Sequence, residues 1–176
     1  MDHNLSGTFE SVVIKPLHQE HIELLRLVRN RDDVRTCFFY SGIISAEEQK
    51  KWYTSYLQQP NEYMFSIFSQ KTGDWIGAAA LYHVDDTTHQ AEFGRFLIAP
   101  PYKKCGFGKI AVRGVCSIGF TQLNLDSIYL EVFENNHAAR TCYTNTGFCT
   151  IQRFKQNGLP ALLMKLDRNL FKNTCA

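Results

Sequence analysis

The spacing of hydrophobic positions predicts the secondary structure along most of the chain. Residues 18–29 place Ile22, Leu25 and Val28 at the three- and four-residue spacing of a helix with one buried face. Loose alternation of apolar and polar residues over 9–16 instead predicts a strand. We expect further strands at 63–70, 75–83, 90–98, 127–133, 148–155 and 160–166, and further helices at about 45–58, 109–123 and 136–146.

Turn and capping signals support two of these boundaries. Ser45 followed three residues later by Glu48 is a capping box, which favours the start of a helix. Asn157-Gly158 is a pair that two-residue hairpin turns prefer, so we expect the last two strands to form a hairpin. The order β, α, α, three strands, then α, β, α, β, β predicts an α/β (α+β) fold. We expect one domain over 1–176, with a mixed sheet of six or seven strands and helices on both faces.

Composition and charge exclude several broad functions. The chain has 176 residues, of which 44% are hydrophobic and 20% charged, as in a globular protein that buries a sizeable core. A net charge of +2 argues against nucleic acid as a partner, because such binding needs a strongly basic surface. No apolar run approaches the roughly 20 residues of a membrane span, and no signal-peptide pattern is seen. We therefore expect a cytoplasmic protein without membrane contact.

The cysteines are expected to be free thiols rather than disulfides or metal ligands. A core of this size needs no disulfide, no CxxC pair occurs, and the cytoplasm is reducing. The histidines are scattered without metal-ligand spacing, so we expect no metal. The six cysteines are Cys37, Cys105, Cys116, Cys142, Cys149 and Cys175.

A glycine-containing segment between a predicted strand and a predicted helix is a candidate phosphate loop. Gly106 and Gly108 allow the backbone to turn sharply and to approach a ligand closely. The free N–H groups at a helix start, aided by the helix dipole, can hold a pyrophosphate. By itself the pattern also describes a flexible turn. Positive charge nearby comes from Lys103, Lys104, Lys109 and Arg113.

A second motif follows one strand later, and the two motifs together resemble those of a known family. Asn136-x-x-Ala139-x-x-x-Tyr143-x-x-x-Gly147-Phe148 resembles the second signature of the GNAT acetyltransferase superfamily. Lys103-x-x-Gly106-x-Gly108 resembles the first signature, in the right order and at the right separation. The resemblance implies a GNAT fold, acetyl-CoA as co-substrate, a small-molecule or peptide amine as acceptor and, as often in the family, a homodimer.

The resemblance also implies a cofactor site. Residues 96–98 would pair their backbone with pantetheine, and the amides of 104–109 would hold the pyrophosphate. Lys103 stands where the family usually has Arg or Gln, which keeps the charge but not the planar geometry. Either Cys105 is a tolerated substitution or its alkylation blocks CoA binding. The implied cofactor-binding residues are Phe96, Leu97, Ile98, Lys103, Lys104, Cys105, Gly106, Phe107, Gly108, Lys109 and Asn136.

Acetyl transfer requires a neutral amine, so a group must accept its proton. Glu92 precedes the phosphate loop at the spacing where the histone-modifying branch of the superfamily carries its glutamate base. Alternatively, Glu92 only orients the amine or lies in solvent, and His83 and His89 are weaker candidates. The resemblance makes Tyr143 the acid that protonates the CoA thiolate; alternatively, its ring anchors the short helix. Asn136 lies near the acetyl end, caps that helix, or both.

Residues in the amino-terminal part of the chain give an indication of the acceptor molecule. Arg29-Asn30-x-x-x-Val34-Arg35, then Ile44-Ser45-x-Glu47 and Trp52, resembles bacterial enzymes that N-acetylate UDP-linked 4-amino sugars in pseudaminic acid synthesis. A similar start occurs in enzymes that acetylate ribosomal-protein N-termini. Alternatively, the aromatic residues are core and the arginines solvated. Candidates for stacking on a uracil or sugar are Phe38, Phe39, Tyr40 and Trp52, and candidates for binding phosphates are Arg29 and Arg35.

Three functions are therefore carried forward. The first is N-acetylation of a primary amine on a nucleotide-linked amino sugar, which a closed aromatic pocket with arginines would favour. The second is acetylation of peptide or ribosomal-protein N-termini, which an open acidic groove would favour. The third is a non-catalytic module that senses acyl-CoA, against which the presence of both Glu92 and Tyr143 argues. Asp85 and Asp86 either attract a cationic substrate or belong to a polar loop.

Overall fold

A computed structural model describes residues 3–173, which form one mixed sheet with helices on both faces. The strands are β1 Gly7–Phe9, β2 Val12–Pro16, β3 Tyr63–Ser69, β4 Trp75–Asp85, β5 Gln90–Ile98, β6 Ser127–Phe133, β7 Cys149–Gln156 and β8 Leu159–Asp167. The helices are α1 Ile22–Arg29, α2 Asp32–Arg35, α3 Ala46–Tyr56, α4 Phe107–Gln122, α5 His137–Thr146 and α6 Arg168–Asn173.

The predicted fold class is confirmed, and the predicted strand count is one too low. The single strand expected over 9–16 is two strands, because the chain turns at Glu10, whose φ of +47° ends β1. The sheet therefore has eight strands. The prediction also missed α2 and α6, which have four and six residues and are too short to show a helical period.

The two local signals act as expected. Ser45 accepts a hydrogen bond from the Glu48 N–H, and the Glu48 carboxylate accepts one from the Ser45 N–H, so the capping box opens α3. Asn157 and Gly158 have φ of +51° and +79° and join β7 to β8 as a tight hairpin.

The strand order β1-β2-β3-β4-β5-β6-β8-β7 places the functional region at the centre of the sheet. Neighbouring strands are antiparallel except β5 and β6, which are parallel. That parallel pairing extends only from Gln90↔Ser127 to Glu92↔Tyr129. Beyond Glu92 the remainder of β5 has no β6 partner among the described residues, so its backbone is open on that side.

Both faces of the central strands are buried because helices cover each of them, whereas the edge strand β7 is largely exposed. Alternate residues of β3 enter different clusters: Phe65 and Ile67 pack with α4, while Met64 packs with α1 and α3. Phe65 and Ile67 are fully buried, and Met64 is 1% exposed. The sheet is therefore a fixed platform on which the open part of β5 rests.

The cysteines of the described residues form no disulfide bonds, as predicted. The free thiols are those of Cys37, Cys105, Cys116, Cys142 and Cys149. Cys175 lies outside the described residues. None of the helices within residues 3–173 is long and apolar enough to cross a membrane.

Candidate active site

A bulge in β5 shapes the open side of that strand. The register between β4 and β5 shifts between Ala78 and Ala80, so that Arg95 and Phe96 together oppose Ala79. Arg95 has φ of +48°, a left-handed conformation that is uncommon for a non-glycine residue. Bulges bend a strand and re-aim its side chains. This one lies where β5 has already separated from β6.

The candidate phosphate loop leads directly into α4. Gly106 has φ of +84° and occupies the N-cap position, where glycine carries no steric penalty. No side chain caps the helix, and its first turn holds no acidic residue. The N–H groups of the first turn therefore lack a side-chain acceptor at the positive end of a 16-residue helix. Such an end is suited to binding phosphate.

A groove of about 500 Å³ joins the open strand to this loop. Nine of the predicted cofactor residues line it, together with Asp33 and Tyr102. Those nine are Phe96, Leu97, Ile98, Lys103, Lys104, Gly106, Gly108, Lys109 and Asn136. The groove has an extended backbone at one end and a helix N-terminus at the other, which are the contacts that a pantetheine–diphosphate molecule requires.

Glu92 faces a second cavity of about 260 Å³, which we call the central cavity. One carboxylate oxygen accepts a 2.5 Å hydrogen bond from the Tyr82 hydroxyl, and the other lies 3.1 Å from His83 Nδ1. Glu131 on β6 lines the same cavity. Burial, followed by the negative charge of Glu92, raises the pKa of the Glu131 carboxyl. Two carboxyl groups are thus available to an amine that enters.

Packing holds Tyr82 against Glu92. A Cβ atom at Gly94 would lie 2.7 Å from the Tyr82 hydroxyl oxygen, so the absence of a side chain there makes room for the ring. The Arg95 guanidinium lies 4.7 Å from the centre of the same ring. Burial, with a smaller effect of the Glu92 hydrogen bond, strongly raises the pKa of Tyr82. Tyr82 therefore stays protonated and acts as a donor to Glu92.

Tyr143 lines the central cavity from α5 and is 7% exposed. Its ring packs on Phe93, Phe96 and Phe148, with centroid distances of 5.9, 6.4 and 5.9 Å. Burial strongly raises the pKa of Tyr143, so the phenol keeps its proton at neutral pH. The residue has the packing of an anchor and the protonation state that a general acid requires.

Asn136 has a location that fits both roles predicted for it, as the cap of the short helix and as a residue near the acetyl end. Its side-chain oxygen accepts a 3.3 Å hydrogen bond from the Ala139 N–H and caps α5. The residue also lines both the cofactor groove and the central cavity. Helix capping and a position near the acetyl end are therefore compatible.

A third cavity of about 320 Å³, the acceptor cavity, lies between α1, α3 and the sheet. Arg29 enters it with its guanidinium 3.9 Å from the centre of the Phe38 ring, and it donates to the Tyr40 carbonyl. The Arg29 Nη1 atom is buried without a hydrogen-bond partner. Burial, as the largest effect, lowers the pKa of Arg29. The cavity is otherwise lined by Leu25, Phe38, Tyr40, Ile44, Glu48, Gln49, Trp52, Met64, Arg95 and Leu97.

The three cavities adjoin one another. Phe96 and Asn136 line both the cofactor groove and the central cavity. Arg29, Tyr40 and Arg95 line both the central and the acceptor cavities. The central cavity, which contains Glu92 and Tyr143, therefore lies between the other two.

Comparison with known proteins identifies the family. Residues 11–149 match the model of the acetyltransferase (GNAT) domain. The chain belongs to the GNAT family. It is accordingly an N-acetyltransferase that uses acetyl-CoA, and the predicted co-substrate is confirmed.

Several relatives of this GNAT enzyme have names that state an activity. It is 27% identical over 138 residues to spermidine N(1)-acetyltransferase of Escherichia coli K12, covering 78% of this chain and 73% of the relative. It is 27% identical over 132 residues to acetyltransferase PseH of Campylobacter jejuni, covering 75% and 79%. The structure of spermidine N-acetyltransferase from Vibrio cholerae with CoA and spermine shares the fold, with a TM-score of 0.85, 22% identity, and coverage of 93% and 99%.

Some predicted residues of the GNAT site lie away from its cavities. Arg35 pairs with Asp32 at 2.8 Å and donates to the Ser41 carbonyl at 2.8 Å, so its guanidinium is directed elsewhere. The side chains of Cys105 and Phe107 are not part of the groove lining. Their predicted role was through backbone amides, and the Phe107 N–H belongs to the uncapped first turn of α4. The assignment of Arg35 receives no support from the cavity lining.

Three other candidates are placed as follows. His89 is in the β4–β5 connection and lines none of the cavities within the described chain. Asp85 accepts hydrogen bonds from the N–H groups of Thr87 and Thr88, as a residue of a polar turn does. Phe39 lines the central cavity and packs edge-on against Phe133 at 4.7 Å.

Sequence reasoning missed four site residues: Tyr82, Glu131, Arg95 and Asp33. Only Glu131 had a usable signal, because it interrupts the apolar strand pattern SIYLEVF with a charge. Its position beside Glu92 depends on the parallel pairing of β5 with β6, which no local pattern specifies.

Proposed function

We propose that this GNAT enzyme acetylates the primary amine of a nucleotide-linked amino sugar. The observation that carries the proposal is the buried Nη1 of Arg29, which has no hydrogen-bond partner in the protein. Buried donors are rarely left unsatisfied, and a guanidinium is best satisfied by a phosphate or carboxylate. An acceptor that carries phosphate supplies such a partner.

The remaining lining of the acceptor cavity fits the same class of molecule. Phe38, Tyr40 and Trp52 offer aromatic faces for a base or sugar ring. Its volume of about 320 Å³ suits a small-molecule moiety. Arg95 is paired with Glu62 at 2.8 Å, and Glu48 is engaged in the capping box. Among the described residues of this lining, Arg29 therefore carries the cation without a carboxylate partner, which fits an anionic acceptor better than a polycation.

In the proposed mechanism the acceptor amine reaches the central cavity as an ammonium ion. Glu92 accepts its proton, and the neutral nitrogen attacks the thioester carbonyl to form a tetrahedral intermediate. Backbone N–H groups on the open side of β5 are the proposed donors to its oxyanion. The carbon–sulfur bond then breaks as Tyr143 donates a proton to the departing thiolate. The nitrogen loses its second proton, which restores the Tyr143 phenol, and Glu92 releases the first proton to solvent.

A polyamine acceptor is the second candidate, and one observation favours it. Glu92 and Glu131 line the same cavity, and the proximity of Glu92 raises the pKa of Glu131. A cationic amine would relieve that repulsion. Relatives that carry the name spermidine N-acetyltransferase add support. An open acidic groove would favour a peptide acceptor. The acceptor cavity is instead lined by aromatic residues and two arginines, which does not favour that alternative.

Release of free CoA thiol from acetyl-CoA tests the acceptor class directly. The purified enzyme is assayed with UDP-4-amino sugars, peptides with free N-termini, spermidine and aminoglycosides. We expect the UDP-amino sugar to give the highest kcat/KM. A higher kcat/KM with spermidine would replace the proposal by the polyamine alternative, and a higher value with peptides would replace it by the N-terminal one.

Arg29→Gln is expected to raise the KM for the UDP-amino sugar roughly 10- to 100-fold, because a charge-assisted hydrogen bond contributes about 1.5–3 kcal/mol. The KM for acetyl-CoA should stay within about twofold. Arg35→Gln is the matched control, since Arg35 lies outside the cavities. Equal effects of the two substitutions on acceptor KM would contradict the role of Arg29. Thermal unfolding of each variant identifies any general loss of stability.

A further inference from the structure

An ion pair crosses the cofactor groove between α2 and the phosphate loop. Lys103 Nζ lies 2.9 Å from one carboxylate oxygen of Asp33, and both residues line the groove. The other oxygen of Asp33 accepts a 3.0 Å hydrogen bond from Arg31. The bridge thus spans the space that the cofactor diphosphate is expected to approach.

Asp33 places a negative charge in a site that is otherwise suited to anions. The hydrogen bond from Lys103, as the largest effect, lowers the pKa of the Asp33 carboxyl, so it is ionised at neutral pH. The surrounding loop offers the uncapped N-terminus of α4 and the cations Lys104 and Lys109. A carboxylate that faces this loop repels any phosphate bound there, unless a cation compensates it.

The pair is weak enough for a ligand to displace it. The side chains of Lys103 and Asp33 are 39% and 49% exposed, and exposed ion pairs contribute only about two- to fivefold to an equilibrium constant. A diphosphate carries more charge than one carboxylate and also accepts hydrogen bonds from the helix N-terminus. The diphosphate is therefore the stronger partner for the Lys103 ammonium.

We propose that Asp33 competes with the cofactor diphosphate for Lys103 and thereby lowers the affinity for acetyl-CoA and CoA. In the free enzyme Asp33 holds the lysine. When the cofactor binds, Lys103 exchanges Asp33 for phosphate, while Arg31 remains with the carboxylate. When CoA leaves, the pair forms again and assists product release. The proposal rests on the acetyl-CoA-dependent activity proposed above and on binding of the cofactor in the groove, and it adds a residue that tunes that site.

Asp33→Asn tests the competition by isothermal titration of acetyl-CoA into the full-length protein. At about 0.02 M salt, where surface charges are weakly screened, we expect a Kd two- to fivefold lower than that of the wild type. The difference should shrink as salt is raised to about 0.5 M. Asp32→Asn is the matched control: it removes the same charge from the neighbouring residue of α2, but Asp32 pairs with Arg35 outside the groove.

A double-mutant cycle shows whether the effect passes through Lys103. Lys103→Met should weaken acetyl-CoA binding. Adding Asp33→Asn to that variant should lower Kd by a smaller factor than it does when Lys103 is present, because only the repulsion between carboxylate and phosphate is then removed. Three results would overturn the proposal: weaker or equal binding in Asp33→Asn, the same gain in Asp32→Asn, or the full gain of Asp33→Asn in the absence of Lys103.

These outcomes are separate from those of the proposed function. Thiol release with a UDP-amino sugar by the wild type, combined with an unchanged Kd in Asp33→Asn, would leave the function standing and remove only the competition. Failure of the wild type to bind acetyl-CoA in titration would remove the cofactor placement as well.

Discussion

Glu92→Gln is expected to lower kcat about 10²- to 10⁴-fold at neutral pH, the range that a general base contributes. Glutamine keeps the size of the side chain and can still accept a hydrogen bond from Tyr82, so the cavity should keep its shape. It cannot take a proton from the ammonium form of the acceptor. Initial rates at saturating acetyl-CoA and acceptor measure the loss.

The pH dependence of this variant gives a second measurement. With the base removed, the reaction depends on acceptor that is already neutral, which is a minor fraction at every pH below the pKa of the acceptor amine. The rate of Glu92→Gln should therefore rise about tenfold per pH unit below that value, more steeply than the wild-type rate. A variant profile parallel to that of the wild type would indicate that Glu92 only orients the amine.

Glu131→Gln is the control within the same cavity. It makes the identical chemical change on the neighbouring strand, where Glu131 has no Tyr82 hydrogen bond. We expect a smaller loss of kcat than in Glu92→Gln. A larger loss would transfer the role of the base from Glu92 to Glu131.

Tyr143→Phe is expected to lower kcat by about 10²-fold while leaving the Kd for acetyl-CoA within about twofold. The change removes one hydroxyl and keeps the ring that packs on Phe93, Phe96 and Phe148. Because burial raises the pKa of Tyr143, the proton is present throughout the neutral range. The ratio of the wild-type rate to the Tyr143→Phe rate should therefore be similar at every pH from about 6 to 8.

Tyr129→Phe supplies the control for this substitution. Tyr129 lies on β6 next to the site, but it contacts Lys165 and lines none of the cavities among the described residues. Single-turnover measurement of thiol release separates the chemical step from product release in both variants. An unchanged single-turnover rate in Tyr143→Phe would leave Tyr143 with only the packing role.

Local sequence signals predicted most of the helices and strands and the residues that line the cofactor groove. A capping box, a left-handed glycine before a helix and an Asn-Gly turn each depend on residues within a few positions. The groove residues from 96 to 109 lie in one continuous stretch of chain, so a local motif was sufficient to predict them. Short segments such as α2 escaped prediction because four residues carry no period.

Only the tertiary structure decided the acceptor half and the pairing of charges. Glu131 reaches Glu92 because β5 and β6 run parallel before they separate, and Lys103 reaches Asp33 across the groove. Each pair joins segments far apart in the chain, so no local spacing encodes it. Arg35 is of a residue type that often binds phosphate, but in the structure it is paired with Asp32 and points away from the cavities. The sequence by itself determined the family, the cofactor and the order of all the helices and strands except the short β1, α2 and α6. Long-range packing determined which charged side chains meet.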